Sequence, residues 1–134
     1  MKCFLIDDDE DDREIFSLAL SAANSSSTYV TATNGEDALR ILEDQPDYIP
    51  DFIFLDLNMP FMDGRSCLKE LTKISKLRDV PVIMFTTSSY TKDIEDTLKL
   101  GASHYLIKPS SLNGLVEILI SFFEGNATTY QLNP

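Results

Sequence analysis

The chain has 134 residues, 43% of them hydrophobic and 25% charged, the make-up of one folded domain with no room for a second of ordinary size. Eleven Lys and Arg face 22 Asp and Glu, a net charge of −11, which disfavours nonspecific nucleic-acid binding and docking on anionic membranes, because both need clustered cations. Asp7 to Asp12 is an unbroken acidic run, without which the net charge would be only −5.

In chain order, short apolar runs alternate with stretches of helical spacing. Cys3–Ile6 reads as a first strand, followed by a helix with Ile15, Leu18, Ala19 and Ala22 at i, i+3, i+4, i+7. Tyr29–Ala32 is a second strand, and Asn34 caps a helix striped by Ala38, Ile41 and Leu42. Phe52–Leu55 is a third strand; after a loop, Asp63-Gly64 starts a helix carrying Leu68, Leu71 and Ile74. Val80–Phe85 is a fourth strand, and the segment Thr91–Leu100 is a weakly anchored helix with only Ile94, Leu98 and Leu100 as large apolar residues. Tyr105–Ile107 is the fifth strand. Ser110 or Ser111 caps a last helix on which Leu112, Leu115, Val116, Leu119, Ile120 and Phe123 form the strongest stripe. Gly101 and Gly125 stand where helix C-termini want a left-handed residue. The residues beyond Phe123 are polar and are expected to fray.

Strands alternating with helices imply an α/β fold, a parallel sheet covered on both faces by right-handed crossovers. The third and fourth strands are nearly continuous apolar runs, as burial on both faces requires. Two cysteines, Cys3 and Cys67, build no disulfide scaffold, and no stretch reads as a signal peptide or membrane span, so a cytoplasmic protein is expected.

Ligands of such sheets bind beyond the carboxyl ends of the strands. Those ends supply Asp7 and Asp8, Asp56, Thr86 and Lys108. Taken singly, each is only the polar residue with which a strand ends. Together they converge three carboxylates, and charges about 5 Å apart repel by roughly 3 kcal/mol at an effective dielectric near 20, so the group needs a cation or a proton. An all-oxygen site of this kind suits Mg2+ with retained waters. A carboxylate beside a divalent ion, a lysine and a hydroxyl is equipped to receive a phosphoryl group.

The segments FLIDDD, FIFLDLNMPFMDG, PVIMFTTSS and GASHYLIKP resemble the four signature regions of response-regulator receiver domains, the family of the chemotaxis protein CheY. The resemblance spans about residues 2–124 in the family's order and spacing. It implies a flavodoxin-like (βα)5 fold with strand order 2-1-3-4-5, residues 1–124 forming the receiver and 125–134 a short polar tail. It implies a phosphorelay signalling protein rather than an enzyme in the usual sense, one that catalyses only its own phosphoryl uptake and slow dephosphorylation. Carried over, Asp56 is the phosphoacceptor, charged by the phosphohistidine of a sensor histidine kinase. Asp8 and Asp56 ligate Mg2+ directly, Asp7 mainly through water, and the Asn58 main-chain carbonyl completes the protein ligands. Thr86 and Lys108 bond phosphoryl oxygens, Tyr105 is the aromatic that turns inward on activation, and the Lys108–Pro109 peptide is cis. With no DNA-binding domain expected, the signal leaves by contact with a target protein or a histidine phosphotransfer protein. This chain has its own residues at variable points: Thr87 adds bulk beside the site, Asn58 and Ser88 stand where the family tunes dephosphorylation, and Ser110 replaces a larger apolar residue.

Competing readings rest on fewer residues. Asp7-x-Asp9 after a strand, with VIMFTT, also fits a small Mg-dependent phosphatase of the haloacid-dehalogenase type with Asp7 as nucleophile, but Asp11 departs from its motif and no acidic pair follows Lys108. A calcium loop fails because Asp12 and Leu18 stand where glycine and glutamate are required. Asp9 to Asp12 read as a solvated helix start favoured by the helix dipole, His104 as a surface loop residue, and both cysteines as buried and inert. Phe61 and Met62 are either partner contacts or lid packing.

Overall fold

Apolar runs such as FIFL and VIMFT have no polar face to give to solvent, so the sheet that contains them has to be covered on both sides. The computed structural model describes residues 1–134 and has this architecture. The order is β1 (Lys2–Ile6), α1 (Glu10–Ala23), β2 (Thr28–Ala32), α2 (Gly35–Asp44), β3 (Phe52–Leu55), α3 (Gly64–Thr72), β4 (Val82–Thr86), α4 (Thr91–Lys99), β5 (His104–Ile107) and α5 (Leu112–Phe123). All strand pairings are parallel, in the order β2-β1-β3-β4-β5. This is the flavodoxin-like arrangement expected from the sequence, with the order reversing between β1 and β3.

Successive strand residues face opposite sides and so feed two cores. Phe4, Ile6, Ile53, Leu55, Val82, Met84 and Tyr105 pack with α2 and α3. Cys3, Leu5, Phe54, Ile83, Phe85 and Leu106 pack with α1 and α5. In the second core Phe16 of α1 sits between Phe54 and Phe85, with ring centroids 4.8 and 5.5 Å away, a tilted and edge-on packing favoured by the ring quadrupoles. The thiols of Cys3 and Cys67 are free and fully buried; burial pushes both up to about 12, which keeps them inert.

Helix caps follow the sequence. Asn34, Asp63 and Ser111 accept bonds from backbone amides of the first turns of α2, α3 and α5, and Gly101 and Gly125 have φ of 105° and 82°. Other expectations are corrected. The buried stripe of α1 is Phe16, Ala19 and Leu20, whereas Ile15 and Leu18 are 43% and 54% exposed. The stripe keeps its spacing but is turned by one residue, because the aromatic ring of Phe16 buries more apolar area than Ile15 does. α3 stops at Thr72, before Ile74, and a 3-10 turn at Ser75–Leu77 leads to β4. β4 begins at Val82 rather than Val80, since Pro81 has no N–H for the ladder. α4 buries only Thr97, in keeping with its sparse apolar residues.

The largest correction concerns the C-terminal segment, which folds back along the exposed edge of β5 instead of fraying. The Tyr105 N–H donates to the Tyr130 carbonyl at 2.9 Å and the Leu132 N–H to the Tyr105 carbonyl at 2.8 Å. The Asn133 side chain both accepts from the Ile107 N–H and donates to its carbonyl. The segment thus satisfies an edge strand that would otherwise present unpaired groups. His104 is correspondingly the first residue of β5, its Nδ1 3.0 Å from the Thr129 carbonyl. Tyr130 is the anchor: its ring packs on Tyr105 and its hydroxyl bonds Thr97 Oγ1 of α4 at 2.6 Å. No helix is long and apolar enough to cross a membrane.

Tyr130→Phe is expected to lower stability by about 0.5–1.5 kcal/mol, and removal of residues 126–134 to cost more by uncovering the β5 edge. Denaturant unfolding of the two variants measures this order, and equal stability of the truncated chain would contradict the anchoring of the segment.

Candidate functional site

The site follows from sheet register. Ile6 lies beside Leu55 and Thr86 beside Ile107, so the next residues, Asp7, Asp56 and Lys108, emerge together at the carboxyl edge. The Asp56 N–H donates to the Ile6 carbonyl and the Lys108 N–H to the Thr86 carbonyl, at 2.9 and 2.7 Å, which carries the ladder up to the site. Gly64 permits the next step. A Cβ there would lie 2.4 Å from the Asp56 carbonyl oxygen and 2.6 Å from Leu57 Cα, so only glycine lets the start of α3 press against the backbone that holds Asp56.

Asp7, Asp8 and Asp56 offer carboxylate oxygens within 4.8 Å of one another. Asp7 and Asp56 are buried, at 0% and 6% exposure, and Asp8 is exposed. Asp7 Oδ1 accepts the Asp9 N–H at 3.0 Å, while its Oδ2 is buried. The Lys108 ammonium lies 2.8 Å from that oxygen, a buried charge-assisted contact, and 3.5 Å from Asp56 Oδ2. Three clustered carboxylates, two of them buried and sharing one ammonium, fit a hard divalent cation.

Electrostatics agree with a site that is short of positive charge. Burial, followed by repulsion from Asp7, pushes Asp56 up to about 6 against the pull of Lys108. Burial also raises Asp7, with the Lys108 ammonium opposing. Lys108 itself is held well above the ordinary lysine value, because its carboxylate partners outweigh the cost of burying its charge.

Every strand-end residue singled out from the sequence reaches the site or its border. Thr86 is fully buried at the end of β4, its Oγ1 accepting the Ser88 N–H at 3.3 Å. Tyr105 is turned inward and fully buried, its hydroxyl donating to the Ser88 carbonyl at 2.9 Å. Ser88 Oγ donates to Asp93 of α4, which pairs with Arg65 of α3. A continuous polar chain therefore leads from Thr86 to α4. Phe61 and Met62 differ in their surroundings. Met62 packs on the core and fills the space over Gly35, whereas Phe61 is 86% exposed and held at φ 68°, an uncommon conformation for a bulky residue.

Two expectations fail here. The Lys108–Pro109 peptide is trans; before proline the isomers differ by only about 0.5–1 kcal/mol, so tertiary context chooses between them. Asp12 is not a merely solvated helix residue, because its Oδ2 accepts a hydrogen bond from Lys108 Nζ at 2.7 Å. Asp9 is the cap of α1, accepting the Asp12 N–H, and the turn so formed aims Asp12 at the site. Nothing local in the sequence identified the lysine that Asp12 would meet.

Comparison with known proteins fits this geometry. The family model "Response regulator receiver domain" matches residues 3–120. The chain belongs to this family. It is 36% identical over 110 residues to a probable transcriptional regulator, ycf27, of Guillardia theta, covering 82% of this chain and 40% of that protein's length; the chain thus spans about two fifths of that relative. Among solved structures, the phosphorylated cyanobacterial phytochrome response regulator RcpA superposes with a TM-score of 0.83 at 30% identity, covering 95% of this receiver and 96% of that chain. The Mn(2+)-bound form of response regulator Rcp1 gives 0.80 at 26% identity, with the same coverage of both chains.

In metal-free buffer, the raised Asp56 makes the folded receiver bind more protons than the unfolded chain between its ordinary 3.8 and about 6. Stability from this group therefore falls as pH rises through that window. Asp56→Asn is expected to remove that slope and to stabilise the metal-free protein at pH 7 by roughly 1–2 kcal/mol. Thermal melts from pH 4 to 8 measure both, and a variant melting lower than the parent throughout would contradict the assignment.

Proposed function

We propose that this receiver is a phosphorylation-dependent switch in a phosphorelay and that Asp56 is its phosphoacceptor. The observation that carries the reading is the placement of Asp56 at the end of β3, next to a carboxylate pair, with the Lys108 ammonium 3.5 Å away. The donor is the phosphohistidine of a sensor histidine kinase. An Asp56 carboxylate oxygen forms the new P–O bond as the P–N bond breaks, and the electron pair of that bond leaves with the imidazole. Hydrolysis by water later restores the carboxylate.

Asp7, Asp8, Asp56 and the Asn58 carbonyl would hold Mg2+, the hard cation that an oxygen-only donor set favours while it keeps its waters. When bound, the ion neutralises charge on the phosphoryl oxygens. The residues of the chain supply the rest: Lys108 pairs with one phosphoryl oxygen, and Thr86 turns its hydroxyl from the Ser88 amide toward another. That exchange loosens Ser88, on which both Tyr105 and Asp93 depend, and so reaches α4, the helix with the least buried anchor. The output is altered contact with a target protein or a histidine phosphotransfer protein.

The phosphatase alternative requires Asp7 as nucleophile. Asp7 is fully buried, with one oxygen bound to the Asp9 amide and the other facing Lys108, so both its oxygens are already engaged. Acetyl phosphate with Mg2+ is expected to label Asp56, and Asp56→Asn to abolish the label; mapping the acyl phosphate by mass spectrometry to Asp7 would overturn the proposal. Thr86→Ala is expected to keep phosphoryl uptake but to blunt the response of α4 amide exchange to phosphorylation, and an undiminished response would exclude Ser88 as the route.

A further inference from the structure

We infer that Asp12 is a positioning residue that parks the Lys108 ammonium on α1 and competes with the phosphorylated site for it. The inference rests on the receiver reading of Asp56 given above.

A lysine ammonium carries three N–H donors. Lys108 donates one hydrogen bond to Asp12 Oδ2, at 2.7 Å. Asp7 Oδ2 lies 2.8 Å from the ammonium and Asp56 Oδ2 3.5 Å. The ammonium also lies 5.3 Å from the centre of the Phe85 ring, whose negative face supports its charge. Asp12 thus holds the ammonium as closely as Asp7 does, although it lies on a different element from the strand-end carboxylates.

Burial distinguishes the partners further. The Asp12 side chain is 32% exposed, against 0% for Asp7 and 8% for Asp56. If Lys108 leaves Asp12, water solvates the abandoned carboxylate at little cost, whereas abandoning a buried carboxylate is expensive. Asp12 is therefore a releasable partner. A phosphoryl group on Asp56 brings about −1.5 to −2 charges and draws the ammonium across. Every phosphorylation then includes the breaking of the Asp12–Lys108 bond, and Asp12 opposes the phosphorylated state by the strength of that bond.

Beryllofluoride, a phosphoryl analogue, measures the competition at equilibrium in the presence of Mg2+. Asp12→Asn is expected to tighten its apparent affinity about 5-fold, the effect of losing one partly screened charge-assisted bond. Asp12→Glu, which keeps the charge, should return affinity toward that of the parent. Asp11→Asn removes the same charge from the same exposed turn without touching Lys108, and should change affinity by less than about 2-fold. In a Lys108→Ala background the Asp12→Asn effect should vanish. If it persists there, or if Asp11→Asn reproduces it, the effect is one of general charge and the inference fails. A second readout needs no phosphoryl analogue: the Lys108 15Nζ resonance should shift in Asp12→Asn and stay in place in Asp11→Asn. A parent protein that binds no beryllofluoride overturns the receiver reading itself, whereas normal binding by the parent with no change in Asp12→Asn overturns only this inference.

Discussion

One buried ammonium has to serve several carboxylates. Lys108 lies within 4 Å of Asp7, Asp12 and Asp56, and Asp8 stands in the same cluster. Charge at the carboxyl edge is therefore left unbalanced by design of the fold, since a single positive group cannot neutralise four negative ones in a partly desolvated pocket. The deficit adds to burial in pushing Asp56 up. It also explains why the site suits a divalent cation. A fully neutralised pocket would be more stable and would have less reason to take up a divalent cation.

The rest of the architecture serves to hold that deficit in place. Parallel register brings three strand ends to one line, and the two cores lock the strands from opposite faces. Gly64 lets α3 abut the Asp56 backbone, while the capped start of α1 delivers Asp12. These are rigid supports, as a site requires if charges are to stay close against their repulsion. On the other side of Asp56 the supports thin out. α4 is held through Thr97 and by polar links from Asp93 to Ser88 and Arg65. An element tied by polar contacts at its end and few apolar ones along its length is drawn from the less stable part of the structure, which is where a switch needs its moving piece.

The C-terminal segment adds a constraint to that same region. Tyr130 touches both Tyr105 and Thr97, so β5, α4 and the chain's last residues are packed as a unit. Its covering of the β5 edge was illegible in the sequence because the segment is polar and lacks strand alternation. Its pairing depends on an edge that exists only once the sheet has formed. The turned stripe of α1 has a different cause: Ile15, Leu18 and Phe16 all suit an apolar face, and the depth of the pocket between Phe54 and Phe85 decided which of them went inside.

The sequence by itself determined the strand and helix alternation, the main helix caps, and the identity of the strand-end residues, because these depend on local periodicity and on backbone groups a few residues away. It also carried the family's signature spacing, which made Asp7, Asp8, Asp56, Thr86 and Lys108 legible as one group. Only the tertiary structure decided how that group is wired. Whether Lys108 bonds Asp12 or Asp56, whether Pro109 follows a trans peptide, and whether the last ten residues pair or fray depend on small energy differences between alternatives. Those differences are settled by groups distant in sequence, brought together only in the folded chain.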